Sequence, residues 1–178
     1  MSITYNYRGL PADCDLLRAV EDDTDLAECL LFATLLFDDP MKHVFAWRDP
    51  GSELVRDIFQ RRPEATTWYY YGGRMNPEDM ARDINAAMGI NRYPANELEL
   101  SPAWQTVMCG RPLSDEMTAR GYSIRMSSPE DVARCAAFCS TIDPLEMDSH
   151  YRDRFVELAK LYKMLADAGN VSLFFMAS

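Results

Sequence analysis

The chain reads as an α+β protein: a single domain over residues 1–178, with a mixed sheet built from strands at both termini and several helices packed on it. Three observations predict this. A helix-capping residue is followed at once by proline at Asn76-Pro77, Ser101-Pro102, Ser128-Pro129 and Asp143-Pro144. The cap's side-chain oxygen satisfies an orphan N–H, and proline at the first helical position needs no partner of its own, so each pair marks a helix start. Strand-like stretches open and close the chain, at Ser2–Tyr7 and Val171–Ala177. The helices are grouped between those strands, which fits an α+β layer better than a regular parallel β-α repeat.

Ser2-Ile3-Thr4-Tyr5-Asn6-Tyr7 alternates apolar with polar residues and predicts a half-buried strand. Pro11 is expected to begin a short helix carrying Leu16, Leu17 and Val20. Asp25-x-x-Glu28 then caps an apolar helix that ends before Asp38-Asp39-Pro40. A helix through Leu54, Val55, Ile58 and Phe59 follows, and Trp68–Tyr71 predicts a strand closed by Gly72-Gly73. Asn76-Pro77 starts a helix through Met80, Ile84 and Met88 that Gly89 stops, and Ser101-Pro102 starts another, through Trp104, Val107 and Met108, ended by Gly110.

Tyr122, Ile124 and Met126 alternate as a strand before Ser128-Pro129-Glu130-Asp131 opens a helix with Val132, Cys135, Ala136 and Cys139 inward. The last helix is expected over 151–168, where Tyr151, Phe155, Leu158, Tyr162 and Leu165 recur at spacings of three and four and Gly169-Asn170 follows. Val171–Ala177 is almost wholly apolar, the pattern of a central strand buried on both faces.

Charge is unevenly placed. The net charge is -10, and residues 1–40 hold nine acids against Arg8 and Arg18, whereas bases outnumber acids over 41–75. A pI near 4.6 argues against nucleic acid, which leaves a basic footprint on its partners. The longest apolar run, Leu26–Phe37, is interrupted by Glu28 and Thr34 and is too short for a bilayer. Five cysteines cannot all pair, and no charged-then-apolar leader opens the chain, so a reducing cytoplasm is the expected compartment.

The candidate sites are few. Neither His43 nor His150 has a second ligand at a zinc-like spacing, and Cys135 and Cys139, one helical turn apart, have the apolar neighbours of core residues; no metal and no cofactor is expected. Cys109, beside Gly110, would need a base and a lowered pKa to serve as a nucleophile, and His150, beside Asp148 and Tyr151, lacks a partner for acid–base work. Tyr69, Tyr70, Tyr71 and Arg74 combine aromatic and guanidinium groups as protein interfaces do. Glu21, Asp22, Asp23, Asp25, Asp38 and Asp39 form the acidic face that a basic protein partner would meet.

The second half resembles the YfbM-like family of small bacterial proteins of unknown function. The resemblance lies in Ala103-Trp104 with Gly110 and Pro112-Leu113, in Pro129-Glu130-Asp131-Val132 through Ile142, Leu145 and Tyr151, and in Phe155-x-x-Leu158-x-x-x-Tyr162-x-x-x-Ala166-x-x-Gly169. Tyr5–Pro11 is similar as well. Residues 41–95 have no counterpart in that family, which marks them as a divergent insertion. The resemblance implies an α+β fold in a bacterial or phage cytosolic protein and transfers no catalytic residue.

With no catalytic motif, an acidic first third and a self-sufficient fold, the leading expectation is a non-enzymatic protein-binding module. An immunity or inhibitor protein that neutralises a basic partner is the form it would take. The alternative is an enzyme or small-molecule binder with a site assembled around Trp104, Cys109, Tyr122 and His150.

Overall fold

The computed structural model describes residues 3–22, 57, 60–90, 93–94, 97–113 and 123–177. Five strands form one sheet: β1 (Ile3–Pro11), β2 (Tyr69–Met75), β3 (Arg111–Pro112), β4 (Ser123–Ser127) and β5 (Val171–Ala177), in the order β2-β1-β5-β4-β3. The α+β class holds, and the apolar C-terminal strand is central, with Tyr7 of β1 opposite Phe175 on one side of the β1 backbone and Tyr70 on the other. Where the sequence predicts a mixed sheet, every described pairing is antiparallel. β1 and β4 run the same way, but β5 lies between them and opposes both, so no parallel pair is hydrogen-bonded among the described residues.

Two local expectations are corrected. Pro11 ends β1, in register with Val171, instead of starting a helix; the missing N–H of proline is harmless at the end of a strand. α1 (Asp15–Asp22) begins four residues later. The Gly72-Gly73 pair does not close β2 either. Tyr5 faces Gly73 while Asn6 faces Tyr71, so the strand continues through a bulge. The expected helices over Leu26–Phe37 and from Ser52, and Asp23, Asp25, Asp38, Asp39, His43 and Tyr122, lie outside the described residues, apart from isolated helical positions at 57, 60 and 61.

The cap-and-proline pairs deliver their helices. Asn76 accepts from the Glu78 N–H at 3.0 Å and opens α2 (Pro77–Ala87); Ser101 accepts from the Trp104 N–H at 3.1 Å and opens α3 (Pro102–Val107). Ser128 and Asp131 form a reciprocal capping box at the start of α4 (Pro129–Cys139). Asp143-Pro144 opens only a single 3-10 turn, Pro144–Glu146, after which Asp148 caps α5 (Ser149–Ala168), two residues longer at its start than the periodicity indicates.

The core gathers Tyr5 and Tyr7 of β1, Met80 and Ile84 of α2, Val107 of α3, Val132 of α4, and Phe155, Leu158, Tyr162 and Leu165 of α5. Complete burial of each such side chain contributes about 1.5–3 kcal/mol. Trp68, Met75, Met80 and Ala81 bring the 62–90 stretch into this same core. Two buried hydroxyls tie α3 to its neighbours: Tyr7 donates to the Val107 carbonyl at 3.1 Å and Tyr162 donates to the Thr106 carbonyl at 2.7 Å. The end of α3 and the turn after it are thereby fixed against both the sheet and α5.

Candidate ligand cleft over a cysteine pair

α3 stops at Val107, three residues short of Gly110. Met108 leaves the helical region at φ -112°, ψ 48°, and Gly110 takes φ +89°, a conformation that suits glycine, to turn the chain into β3. A side-chain Cβ at Gly110 would lie 2.4 Å from the Met126 carbonyl oxygen, so the segment is pressed against β4. This approach sets Cys109 inside the protein and leaves a cleft of about 870 Å³ above it. α1 supplies Leu17, Arg18 and Glu21 to the cleft; α3 and its C-terminal turn supply Trp104 and Met108; the start of α4 supplies Asp131 and Arg134.

Four arginines line the cleft, Arg18, Arg111, Arg125 and Arg134, against the acids Glu21, Glu99 and Asp131, a local excess of positive charge in a strongly acidic chain. Arg111 pairs with Glu21 across the cleft, and Arg134 pairs with Asp131 at 2.8 Å. Arg125 differs. One of its terminal nitrogens donates to the Gly110 carbonyl, but its Nε is buried and has no hydrogen-bond partner among the described residues. Burial lowers the pKa of this guanidinium, while the neighbouring Cys109 sulfur and Glu99 act in the opposite direction. A buried donor of this kind costs about 1–3 kcal/mol while unsatisfied.

Beneath the floor, Ser127 Oγ donates to Cys109 Sγ at 3.0 Å and the Cys135 thiol lies 3.4 Å from the same sulfur. The hydrogen bond from Cys135, joined by that from Ser127, lowers the Cys109 pKa against the opposing effect of burial. Cys135 moves up, because it is the donor in that bond and is itself buried. Ser127 thus touches both the cleft and the sulfur pair.

The structure brings together only part of the constellation expected from sequence. Trp104 lines the cleft, half-buried, and Cys109 lies under it, whereas His150 is exposed at the start of α5, edge-on to Tyr151 with ring centroids 4.8 Å apart, and does not line it. Glu21, expected on an acidic docking face, pairs with Arg111. Asp22 ends α1, Tyr69 and Tyr71 lie on β2, and Arg74 is exposed there with its carbonyl accepting from Arg154. Tyr70, between those two tyrosines, stacks on Tyr7 at 5.7 Å and donates to the Arg154 carbonyl at 3.1 Å.

Sequence reasoning missed Arg111, Arg125, Arg134 and Ser127. The one signal was Arg125 itself, a cation between Ile124 and Met126 in a strand. Among the described residues no group of three or more histidine, cysteine or acidic side chains is placed to hold a metal ion, and no helix is long and apolar enough to cross a membrane. No family model, curated protein or solved structure matches the chain.

Proposed function

We propose that the chain is a ligand-binding protein whose cleft takes a small molecule with an oxyanion, carboxylate or phosphate, on a flat apolar body. The observation that carries this reading is Arg125, a half-buried guanidinium in a cleft wall with a buried Nε–H that no described group accepts. Oxyanions match the planar fork of arginine and form charge-assisted hydrogen bonds with it. Trp104, Met108 and Leu17 supply the apolar part of the wall, where a ring would pack.

Melting curves with phosphate, benzoate and phenyl phosphate test it. A ligand present at about 100 times its Kd stabilises by about 2.7 kcal/mol, which for a chain of this size raises Tm by roughly 5–11 °C. Arg125→Gln is expected to abolish the rise while the protein still folds. A panel that leaves Tm unmoved, or an equal rise in the variant, refutes the reading.

Docking of a basic protein partner is the second reading, and one observation favours a surface for it: β2 is the terminal strand of the sheet among the described residues. Unpaired strand edges accept an added strand. The acidic residues Asp22, Asp23, Asp38 and Asp39 would steer such a partner, so reversing those charges slows association and flattens its salt dependence; an unchanged on-rate removes them from the interface.

A further inference from the structure

Cys109 and Cys135 are 26 residues apart in sequence, on separate elements, yet their sulfurs lie 3.4 Å apart and both side chains are buried. A disulfide needs about 2.05 Å, so closure asks for an approach of roughly 1.4 Å at the Sγ atoms. Side-chain rotation and a small shift of the turn after α3 are of that size. Packing alone does not explain the chemistry of the pair. Ser127 spends its hydroxyl hydrogen on Cys109 Sγ, a weak acceptor as a thiol and a strong one as a thiolate.

We propose that Cys109 and Cys135 are a redox-active dithiol, oxidised by a peroxide to an intramolecular disulfide beneath the cleft. Cys109 is the attacking sulfur, since it accepts hydrogen bonds from Ser127 and Cys135, and both favour its thiolate. The thiolate attacks one peroxide oxygen; the S–O bond forms, the O–O bond breaks, and the departing hydroxide takes a proton to become water. Cys135 then attacks the sulfenic sulfur; the S–S bond forms, the S–O bond breaks, and the leaving hydroxide takes the Cys135 proton as a second water. Two thiols are oxidised by two electrons and the peroxide is reduced by two.

Cys139, one turn further along α4, is not the resolving thiol. Among the described residues the thiol within hydrogen-bond distance of Cys109 Sγ is that of Cys135, at 3.4 Å. Because both sulfurs are covered, oxidation proceeds through local opening of the floor formed by Met108 and Gly110, and a water-sized oxidant suits that route. The inference rests on sulfur geometry and does not require the cleft to bind an anion.

The test treats the full chain with hydrogen peroxide, denatures it, and counts thiols by alkylation. Five thiols are expected to fall to three, dithiothreitol is expected to restore all five, and peptide fragmentation is expected to place the link between Cys109 and Cys135. Cys139→Ser retains the loss of two thiols, and Cys135→Ser does not. Fragmentation of wild-type protein decides the linkage even if a variant fails to fold. An unchanged count, a loss that dithiothreitol does not reverse, or a link through Cys139, Cys14 or a second chain overturns the proposal.

Discussion

Replacing Gly110 by alanine destabilises the protein by about 2–5 kcal/mol, and a second glycine supplies the control. At φ +89° an L-residue pays about 1–2 kcal/mol for its backbone conformation. The added Cβ would also lie 2.4 Å from the Met126 carbonyl oxygen and 2.6 Å from both the Met126 carbonyl carbon and Ser127 Oγ. Two of those atoms are backbone of a paired strand, which cannot rotate away, so overpacking adds about 1–3 kcal/mol. Gly89 has φ +77° but nothing within 4 Å of where its methyl would stand, leaving only the conformational cost. Urea unfolding of Gly110→Ala and Gly89→Ala isolates the packing contribution: the first should exceed the second by at least about 1 kcal/mol, or roughly 2–4 °C in Tm for a chain of this length. Equal losses at the two positions would show that the Cys109–Gly110 turn does not press on β4, and the described cleft floor would be wrong.

The caps and the buried acids carry further expectations. Ser128→Ala removes one half of the capping box and should cost about 1 kcal/mol in urea titration, with Ser128→Gly milder. Tyr7→Phe and Tyr162→Phe each remove a buried hydroxyl bonded to an α3 carbonyl and should cost about 1 kcal/mol at neutral pH. Alkali should unfold the protein for a related reason. Burial raises the pKa of Tyr7 and Tyr162 well above 10 and that of Cys139 to about 12, so the unfolded chain loses these protons first. Stability from them is full below the ordinary thiol and tyrosine values. It then falls as pH rises, by about 1.4 kcal/mol per unit for each group, until the folded state ionises. Cys109 acts oppositely, adding stability as pH rises toward the ordinary thiol range, while its partner Cys135, raised by the same hydrogen bond and by burial, acts with the tyrosines. Urea midpoints between pH 8 and 11 follow the sum, and a flat profile above pH 10 contradicts the burial of both tyrosines.

Much of the fold was legible because its signals are local. Ser128-Pro129-Glu130-Asp131 holds a whole capping box within four residues, and Asn76-Pro77 and Ser101-Pro102 work over two or three. The apolar run of β5 marks a central strand because burial on both faces leaves no polar alternation. What failed depended on partners far away in sequence. Gly72-Gly73 reads as a turn until β1 is known to pair across it, and Pro11 reads as a helix start until Val171 takes its place opposite.

The cleft was nearly invisible for the same reason. Arg125, Arg111 and Glu21 are ordinary surface charges in sequence and meet only because α1 and the turn after α3 flank one end of the sheet. Cys109 and Cys135 carry no spacing signal, and each alone reads as a buried core thiol. Trp104 lines the cleft, whereas His150 was grouped with it in the sequence through chemistry rather than through any contact.

The most direct test of the cleft is a two-dimensional NMR titration of labelled protein with phenyl phosphate, following the Arg125 Nε–H and the Trp104 indole N–H. Saturable shifts are expected at both, with Arg125 Nε–H moving downfield as it gains an acceptor, and no saturable shift is expected at Trp104 in Arg125→Gln. Shifts spread over the surface without saturation, or confined to residues outside the cleft, would contradict it.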